Sequence, residues 1–239
     1  MQSAPHLFEN HLKFLATHRG RVTHLNGSYA VESDRPEFTY GVLGQGSDPG
    51  LLNRFATVQA LPWGDCLDPS LVDERFQKKA SLSYMAFEGG TGAWPINSRI
   101  QVKRVNDTAD MDVFSHVQAA GFAQKPEDYE QWHPWLRAAN HRNLNRDDQA
   151  FYIGYMNDNP VGTALIVRTG NLAGIYAVAT IPNFRKQGVG SSVMSRAISD
   201  ARSMDSEAIT LQVVEGSYAE SLYKKLGFKT AFNTSIFSR

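Results

Sequence analysis

The stretch that most constrains this chain is the passage from an apolar strand through a glycine loop straight into an amphipathic helix. Val178-Ala179-Thr180-Ile181-Pro182-Asn183-Phe184 runs into Arg185-Lys186-Gln187-Gly188-Val189-Gly190-Ser191. Beyond it, Val193, Met194, Ala197, Ile198, Ala201 and Met204 recur at spacings of three and four, the apolar stripe of a helix lying on a core. The first amides of a helix lack intrahelical partners and sit at the positive end of its dipole, so they hold anions. Glycines at 188 and 190 let backbone approach a ligand and reach dihedrals that a Cβ hinders, and Arg185 and Lys186 add full charges. Two common owners of such a loop are excluded. The chain lacks the Lys-Ser/Thr ending of a P-loop. A dinucleotide fingerprint wants a third glycine where Met194 or a neighbour stands, although Asp205 and Glu207 lie near the distance of its acidic residue.

Downstream, Ile209-Thr-Leu-Gln-Val-Val214 alternates and is rich in β-branched residues, as a strand requires. Ser217-Tyr-Ala-Glu220 has the spacing of a capping box and predicts a helix start. Gly227 stands where a helix ends in a left-handed residue, with Lys224 and Lys225 in the last turn, where the dipole favours cations. Leu222 and Phe228 read as core, and Tyr223 fits a core role as well as a chemical one.

Arg185-x-x-Gly188-x-Gly190 behind a Val-x-Thr-x-Pro strand end resembles the coenzyme A pyrophosphate loop of the GNAT superfamily of N-acetyltransferases. Ala219-x-x-Leu222-Tyr223-Lys224-Lys225-Leu226-Gly227-Phe228 is similar to the family's second segment, in the right order and at the right distance. The likeness spans residues 99 to 239. It implies acetyl-coenzyme A as cosubstrate, with the loop from Arg185 through Lys186, Gln187, Gly188, Val189 and Gly190 to Ser191 on the pyrophosphate. The backbone of Val178 would stabilise the developing oxyanion, with Ala179 and Thr180 alongside the pantetheine arm. Tyr223 would donate a proton to the departing thiolate, an imperfect leaving group near neutral pH at a free thiol pKa of about 8.5. The family's asparagine before the second helix is replaced by Gly216, with Ser217 beside it as a substitute contact.

Transfer to an amine needs a neutral nucleophile. For a lysine that costs roughly 4 to 5 kcal/mol at neutral pH, for a terminal α-amine about 1 kcal/mol. Family members that use a strand glutamate carry it at the position of Gly174, so this chain lacks the usual base. Tyr176, which in a regular strand shares a side with Gly174 and Val178, and Glu215 at the end of the next strand are the candidate substitutes. The resemblance therefore implies an N-acetyltransferase acting on a small-molecule or peptide amine by direct attack. The missing glutamate and asparagine leave open a non-catalytic acyl-coenzyme A binding protein that regulates a partner.

Composition fits a soluble enzyme, with 42% hydrophobic and 20% charged residues. The formal charge is zero, with 8 basic and 10 acidic residues up to position 98 and 16 and 14 after it, so no nucleic-acid footprint appears. The single Cys66 excludes an internal disulfide framework and reads as a small buried residue. No apolar run approaches twenty residues, and His6, Glu9, His11 and Lys13 interrupt any leader, which makes a cytoplasmic location without membrane contact the default expectation. The histidines show no metal-ligand spacing.

Residues 88–98, with three glycines and a proline, are the expected boundary. Beyond it a strand over 99–105, a helix capped by Asp107 and stopped by Gly121, and a second helix opened by Pro126 are expected. Strands at 151–156, 161–168 and 172–180 follow, with Asn157 to Pro160 turning between the first two. The fold class is α+β with a mixed α/β sheet: a GNAT-like domain over 99–239, preceded by a smaller α+β domain over 1–98. In that smaller domain the pattern predicts helices at 5–18 and 69–79 and strands at 21–31, 37–43 and 82–87. It reads as a degenerate second copy of the same fold or as a lid and dimerisation module, the latter implying a homodimer. Trp132 and Trp135, on the helix where the family admits its acceptor, are candidates for an aromatic acceptor pocket.

Overall fold

The computed structural model describes residues 3–44, 50–63, 76–89 and 97–239. Cys66, positions 69–75 of the expected helix and 90–96 of the expected boundary lie outside the described residues. The chain runs α1 (Ala4–His18), β1 (Arg21–Leu25), β2 (Ser28–Glu32), β3 (Tyr40–Leu43), α2 (Gly50–Arg54), β4 (Thr57–Ala60) and β5 (Gln77–Phe87). It continues through β6 (Ile100–Arg104), α3 (Thr108–Phe122), α4 (Pro126–Asn143), β7 (Gln149–Met156), β8 (Asn159–Thr169) and β9 (Leu172–Thr180). Finally come α5 (Val189–Ser203), β10 (Ala208–Val214), α6 (Tyr218–Lys225) and β11 (Phe228–Ser238). Two compact units result, one running up to Ala86 and resumed over Gln212–Arg239, the other spanning Phe87–Leu211.

In the Phe87–Leu211 unit the strands lie in the order β10-β9-β8-β7-β6. The pairs β6–β7, β7–β8 and β8–β9 are antiparallel and β9–β10 is parallel, so the sheet is mixed. Crossing from β9 to a parallel neighbour requires a helix, and α5 supplies it. Helix α3 covers one face, with Phe114 edge-on to Phe151 at 5.1 Å. Its Gly121 lies so close to the sheet that a Cβ there would fall 2.8 Å from the Ala179 Cβ. Helix α5 covers the other face, where a Cβ at Gly162 would fall 2.4 Å from Val189 and one at Gly154 would fall 2.8 Å from Val193. Ile100, Met156, Val161 and Val189 form the core beneath α5.

In the other unit the order is β1-β2-β3-β4-β11-β5. The β1–β2 and β2–β3 pairs are antiparallel, β3–β4 is parallel and β4–β11 antiparallel. Ala30, Leu43, Leu52, Phe55, Val58 and Phe76 form one core cluster, and in an aromatic cluster Tyr84 stacks on Phe232 at 4.5 Å. The Tyr84 hydroxyl lies 2.6 Å from His11 Nδ1 and accepts from Gln59 Nε2. Burial holds the His11 imidazole neutral, with its pKa pushed down to about 3.

Several local expectations change. The expected strand 21–31 is a hairpin, because Asn26 and Gly27 both take positive φ (40° and 81°), the signature of a two-residue turn that the Asn-Gly pair favours. Residues 77–79, expected helical, open β5. The turn after β7 is Asn157–Asp158, both at positive φ, so Asn159 and Pro160 already belong to β8. Gly121 does not stop α3, which runs on to Phe122; its missing side chain serves close packing on β9 instead. The Asp107 cap is as expected, its carboxylate accepting from Asp110 N at 2.8 Å.

The seat of α5 gives a direct test. Gly162→Ala drives a methyl into the stiff Val189 side chain and lowers unfolding stability by about 1–3 kcal/mol, read as a fall in the urea midpoint with an unchanged slope.

Candidate functional site

Strand β9 is not regular. Thr163 pairs with Ala179 and Leu165 with Tyr176, so two residues of β9, Ala177 and Val178, oppose Ala164 alone. This is a β-bulge. Ala177 takes φ 50°, the left-handed region that a residue with a Cβ enters at a cost of roughly 1–2 kcal/mol. Its carbonyl accepts a 2.7 Å bond from the fully buried Thr163 hydroxyl. The bulge corrects the alternation expected from sequence. Cross-strand partners share a face, so Tyr176 and Ala179 lie with Thr163 on the α3 side, as the Gly121 contact with Ala179 requires. Thr180 lies with its partner Gly162 on the α5 side, and Val178 alternates with Ala179 onto that side. The ladder to β10 runs from Leu172↔Ala208 to Gly174↔Thr210.

After β9, a single 3-10 turn at Pro182–Phe184 leads into the loop. Arg185 directs Nη2 to the Gly121 carbonyl at 2.9 Å and Nε to that of Thr180 at 3.3 Å, tying the loop to the end of α3 and of β9. Lys186 takes φ 61° and is exposed. Gln187 is held at both ends, its Nε2 donating to Asn183 O and its carbonyl accepting from Asn97 Nδ2 at 2.9 Å. Gly188 is the residue before α5, at φ 83°, where L side chains are disfavoured. The first intrahelical bond of α5 runs from Ser192 N to Gly188 O, which leaves the amides of Val189, Gly190 and Ser191 without intrahelical acceptors. The buried Ser192 hydroxyl has no partner among the described residues. Backbone donors, a dipole end and a glycine in the left-handed region make a cradle that suits a phosphate.

Tyr223, Ser217 and Glu215 belong to the other unit. Ser217 caps α6, its hydroxyl accepting from Glu220 N. The reciprocal half of the expected box is displaced by one residue: the Glu220 carboxylate accepts from Gly216 N at 3.0 Å, and also from Ser83 Oγ at 2.8 Å and Lys224 Nζ at 3.1 Å. These donors, led by Ser83, hold the buried Glu220 below the usual carboxylate range. Tyr223 is 7% exposed and sits edge-on to Phe228 at 6.1 Å. Burial raises its phenol above the ordinary tyrosine value, so it stays protonated across the neutral range. Glu215 is exposed, with Asn233 Nδ2 donating to its carboxylate at 3.0 Å. Tyr176 is buried. Trp132 and Trp135 are half-buried on α4. Among the described residues no group of three or more His, Cys, Asp or Glu assembles to hold a metal, and no helix is long and apolar enough to cross a membrane.

Sequence reasoning missed Asn97, Thr163 and Ser192. Each acts through a partner distant in sequence or by burial, neither of which a local motif records. The positive φ of Ala177 had no signal at all, since alanine carries none of the local cues of glycine or asparagine.

The acetyltransferase (GNAT) family model matches residues 114–228. An uncharacterized N-acetyltransferase of Methanocaldococcus jannaschii is 26% identical over 128 residues, covering 50% of this chain and 57% of that protein. A holothin acyltransferase of a Pseudoalteromonas species is 32% identical over 128 residues, covering 48% of this chain and 41% of its own. The chain thus spans about half the length of these curated relatives. Among solved structures, a GCN5-related N-acetyltransferase from Kribbella flavida shares the fold over 100% of this chain and 96% of its own, with TM-score 0.71 at 14% identity. Another from Sphaerobacter thermophilus covers 89% of this chain and 76% of its own, with TM-score 0.67 at 14% identity.

The anchoring of α6 predicts an acid limb. A carboxyl whose folded pKa lies below its ordinary 4.5 stabilises the fold fully above that value and loses the contribution as pH falls through the lowered one. Glu220→Gln should be less stable than the parent at about pH 7, with the difference narrowing as the pH falls below the ordinary 4.5 in parallel urea titrations.

Proposed function

We propose that this chain, whose residues 114–228 match the GNAT acetyltransferase family model, transfers an acetyl group from acetyl-coenzyme A to a primary amine by direct attack. The observation that most supports this is the α5 entrance, with Gly188 in the left-handed region and three helix amides free for an anion, beside a bulged β9. The pyrophosphate is bound by the amides of Val189, Gly190 and Ser191, with Lys186 adding charge and Arg185 holding the loop's shape. The pantetheine arm follows Ala179 and Thr180, with Ser217 as a further contact. The Val178 amide donates to the acyl oxygen as negative charge develops there. The amine nitrogen bonds to the acyl carbon as the carbon–sulfur bond breaks. Tyr223, whose phenol stays protonated across the neutral range, gives its proton to the thiolate.

The proton lost by the amine goes, through water, to Glu215. A phenol with an ordinary pKa of about 10 is a poor base at neutral pH, which favours the exposed carboxylate over Tyr176. The acceptor is a small-molecule or peptide amine. The half-buried Trp132 and Trp135 support an apolar acceptor over a highly charged one.

For the N-terminal region the reading is a degenerate second copy of the catalytic domain over 99–239. The run β1-β2-β3, a helix and a parallel β4 repeats the run β7-β8-β9, a helix and a parallel β10. Its crossover helix α2 has five residues where α5 has fifteen, too short to build an anion site.

Acetyl-coenzyme A at a hundredfold excess over its dissociation constant should stabilise the protein by about 2.7 kcal/mol, seen as a thermal shift, and calorimetry should count one molecule per chain. Tyr223→Phe should lower kcat by about a hundredfold while leaving that dissociation constant unchanged. Saturable binding without thioester consumption across a panel of amines would instead favour a regulatory acyl-coenzyme A binding protein, the reading to which Gly174 in place of a strand glutamate also points.

A further inference from the structure

The buried hydroxyl of Thr163 has its hydrogen bond on the one carbonyl of β9 that belongs to a left-handed residue. Thr163 is wholly inaccessible to solvent, and its Oγ1 donates to Ala177 O at 2.7 Å. Ala177 takes φ 50° without being glycine or having a side chain able to bond its own backbone, so something outside the residue must hold it there.

In a trans peptide the C=O and the following N–H point in opposite directions across a rigid plane. A bond that fixes the Ala177 carbonyl therefore fixes the Val178 N–H as well and turns it away from Thr163. The direction follows from the faces of the sheet. Thr163 and its partner Ala179 lie on the α3 side, while Gly162 and Thr180 lie on the α5 side. With the carbonyl drawn toward the α3 side, the Val178 N–H leans toward the face that carries α5 and the glycine loop. A hydrogen bond to the carbonyl also polarises the peptide and strengthens its N–H as a donor. Val178 itself is half-buried between the buried Ala177 and Ala179.

We infer that Thr163 is a positioning residue for acyl transfer: through Ala177 it locks the β9 bulge and aims the Val178 amide at the acyl oxygen. This rests on the transferase reading above. The hydroxyl touches neither cosubstrate nor acceptor. Its effect falls on the step in which charge builds on that oxygen, and ground-state binding of acetyl-coenzyme A does not depend on it.

The test is Thr163→Val, which keeps shape and removes the hydroxyl, beside Thr163→Ser, which keeps it. Kinetics with acetyl-coenzyme A and an accepted amine give kcat, and calorimetry gives the dissociation constant for acetyl-coenzyme A. The valine variant should lose at least about tenfold in kcat, since loss of a whole oxyanion donor is worth about 10²–10³, while its dissociation constant stays within about twofold. The serine variant should stay close to wild type. If the valine variant does not fold, Thr163→Ala removes the hydroxyl without placing a methyl against the carbonyl, and the same split is expected. An unchanged kcat in a folded variant lacking the hydroxyl overturns the inference, as does equal weakening of kcat and binding, or a serine variant as impaired as the valine one. Absence of turnover by the wild-type protein overturns the transferase reading itself, and is thereby distinct from failure of the Thr163 inference in an active enzyme.

Discussion

Helix α5 can approach the sheet as it does only because β7 and β8 present no side chain at Gly154 and Gly162. Methyl groups there would fall 2.8 and 2.4 Å from Val193 and Val189, distances that real contacts do not reach. The entrance of α5 inherits its position from this contact. Val189 is both the residue that fills the hollow left by Gly162 and the first residue of the helix, so the packing that seats α5 also fixes where its free amides begin. A rigid core contact of this kind transmits position well, because interiors at crystal-like density yield little.

The same economy of side chains works on the other face. Gly121 brings α3 within contact of Ala179 and Thr180, and its carbonyl then receives the Arg185 guanidinium. The loop between β9 and α5 is thus tied to both faces of the sheet, by the Val189 contact on one and the Arg185 bond on the other. Asn97, bonded to the Gln187 carbonyl and set against Gly188, closes it from a third side. The cradle is assembled from distant segments even though its own sequence is continuous.

That distinction explains what could be read from the sequence. Features set by neighbours along the chain were legible: the α5 stripe, the Asp107 and Ser217 caps, the end of α6 at Gly227 and the order of strands and helices from β6 to β11. Features set by contacts across the fold were not. Regular alternation places Val178 beside Tyr176, whereas the bulge, where the Ala177 carbonyl accepts from Thr163 fourteen residues away in sequence, puts it on the other face. Gly121 looked like a helix stop because glycine signals an end when only local cues are weighed; its use as a packing hollow depends on β9. The Asn26-Gly27 hairpin is legible in the sequence, since the pair is a strong turn signal that divides 21–31 into two strands.

The electrostatics of the loop follow from the same assembly. Arg185 looked like a ligand for phosphate, yet two of its nitrogens serve backbone carbonyls, so part of its charge goes into holding the loop's shape. Positive potential at the α5 entrance then comes from aligned peptide dipoles and unpaired amides, with Lys186 as the exposed full charge. Dipoles fixed in a packed framework need no rearrangement when an anion arrives, unlike long side chains that give up rotamer freedom to bind. A chain of zero formal charge can therefore concentrate positive potential locally without a basic surface, at the helix end where three amides lack intrahelical acceptors behind one left-handed glycine.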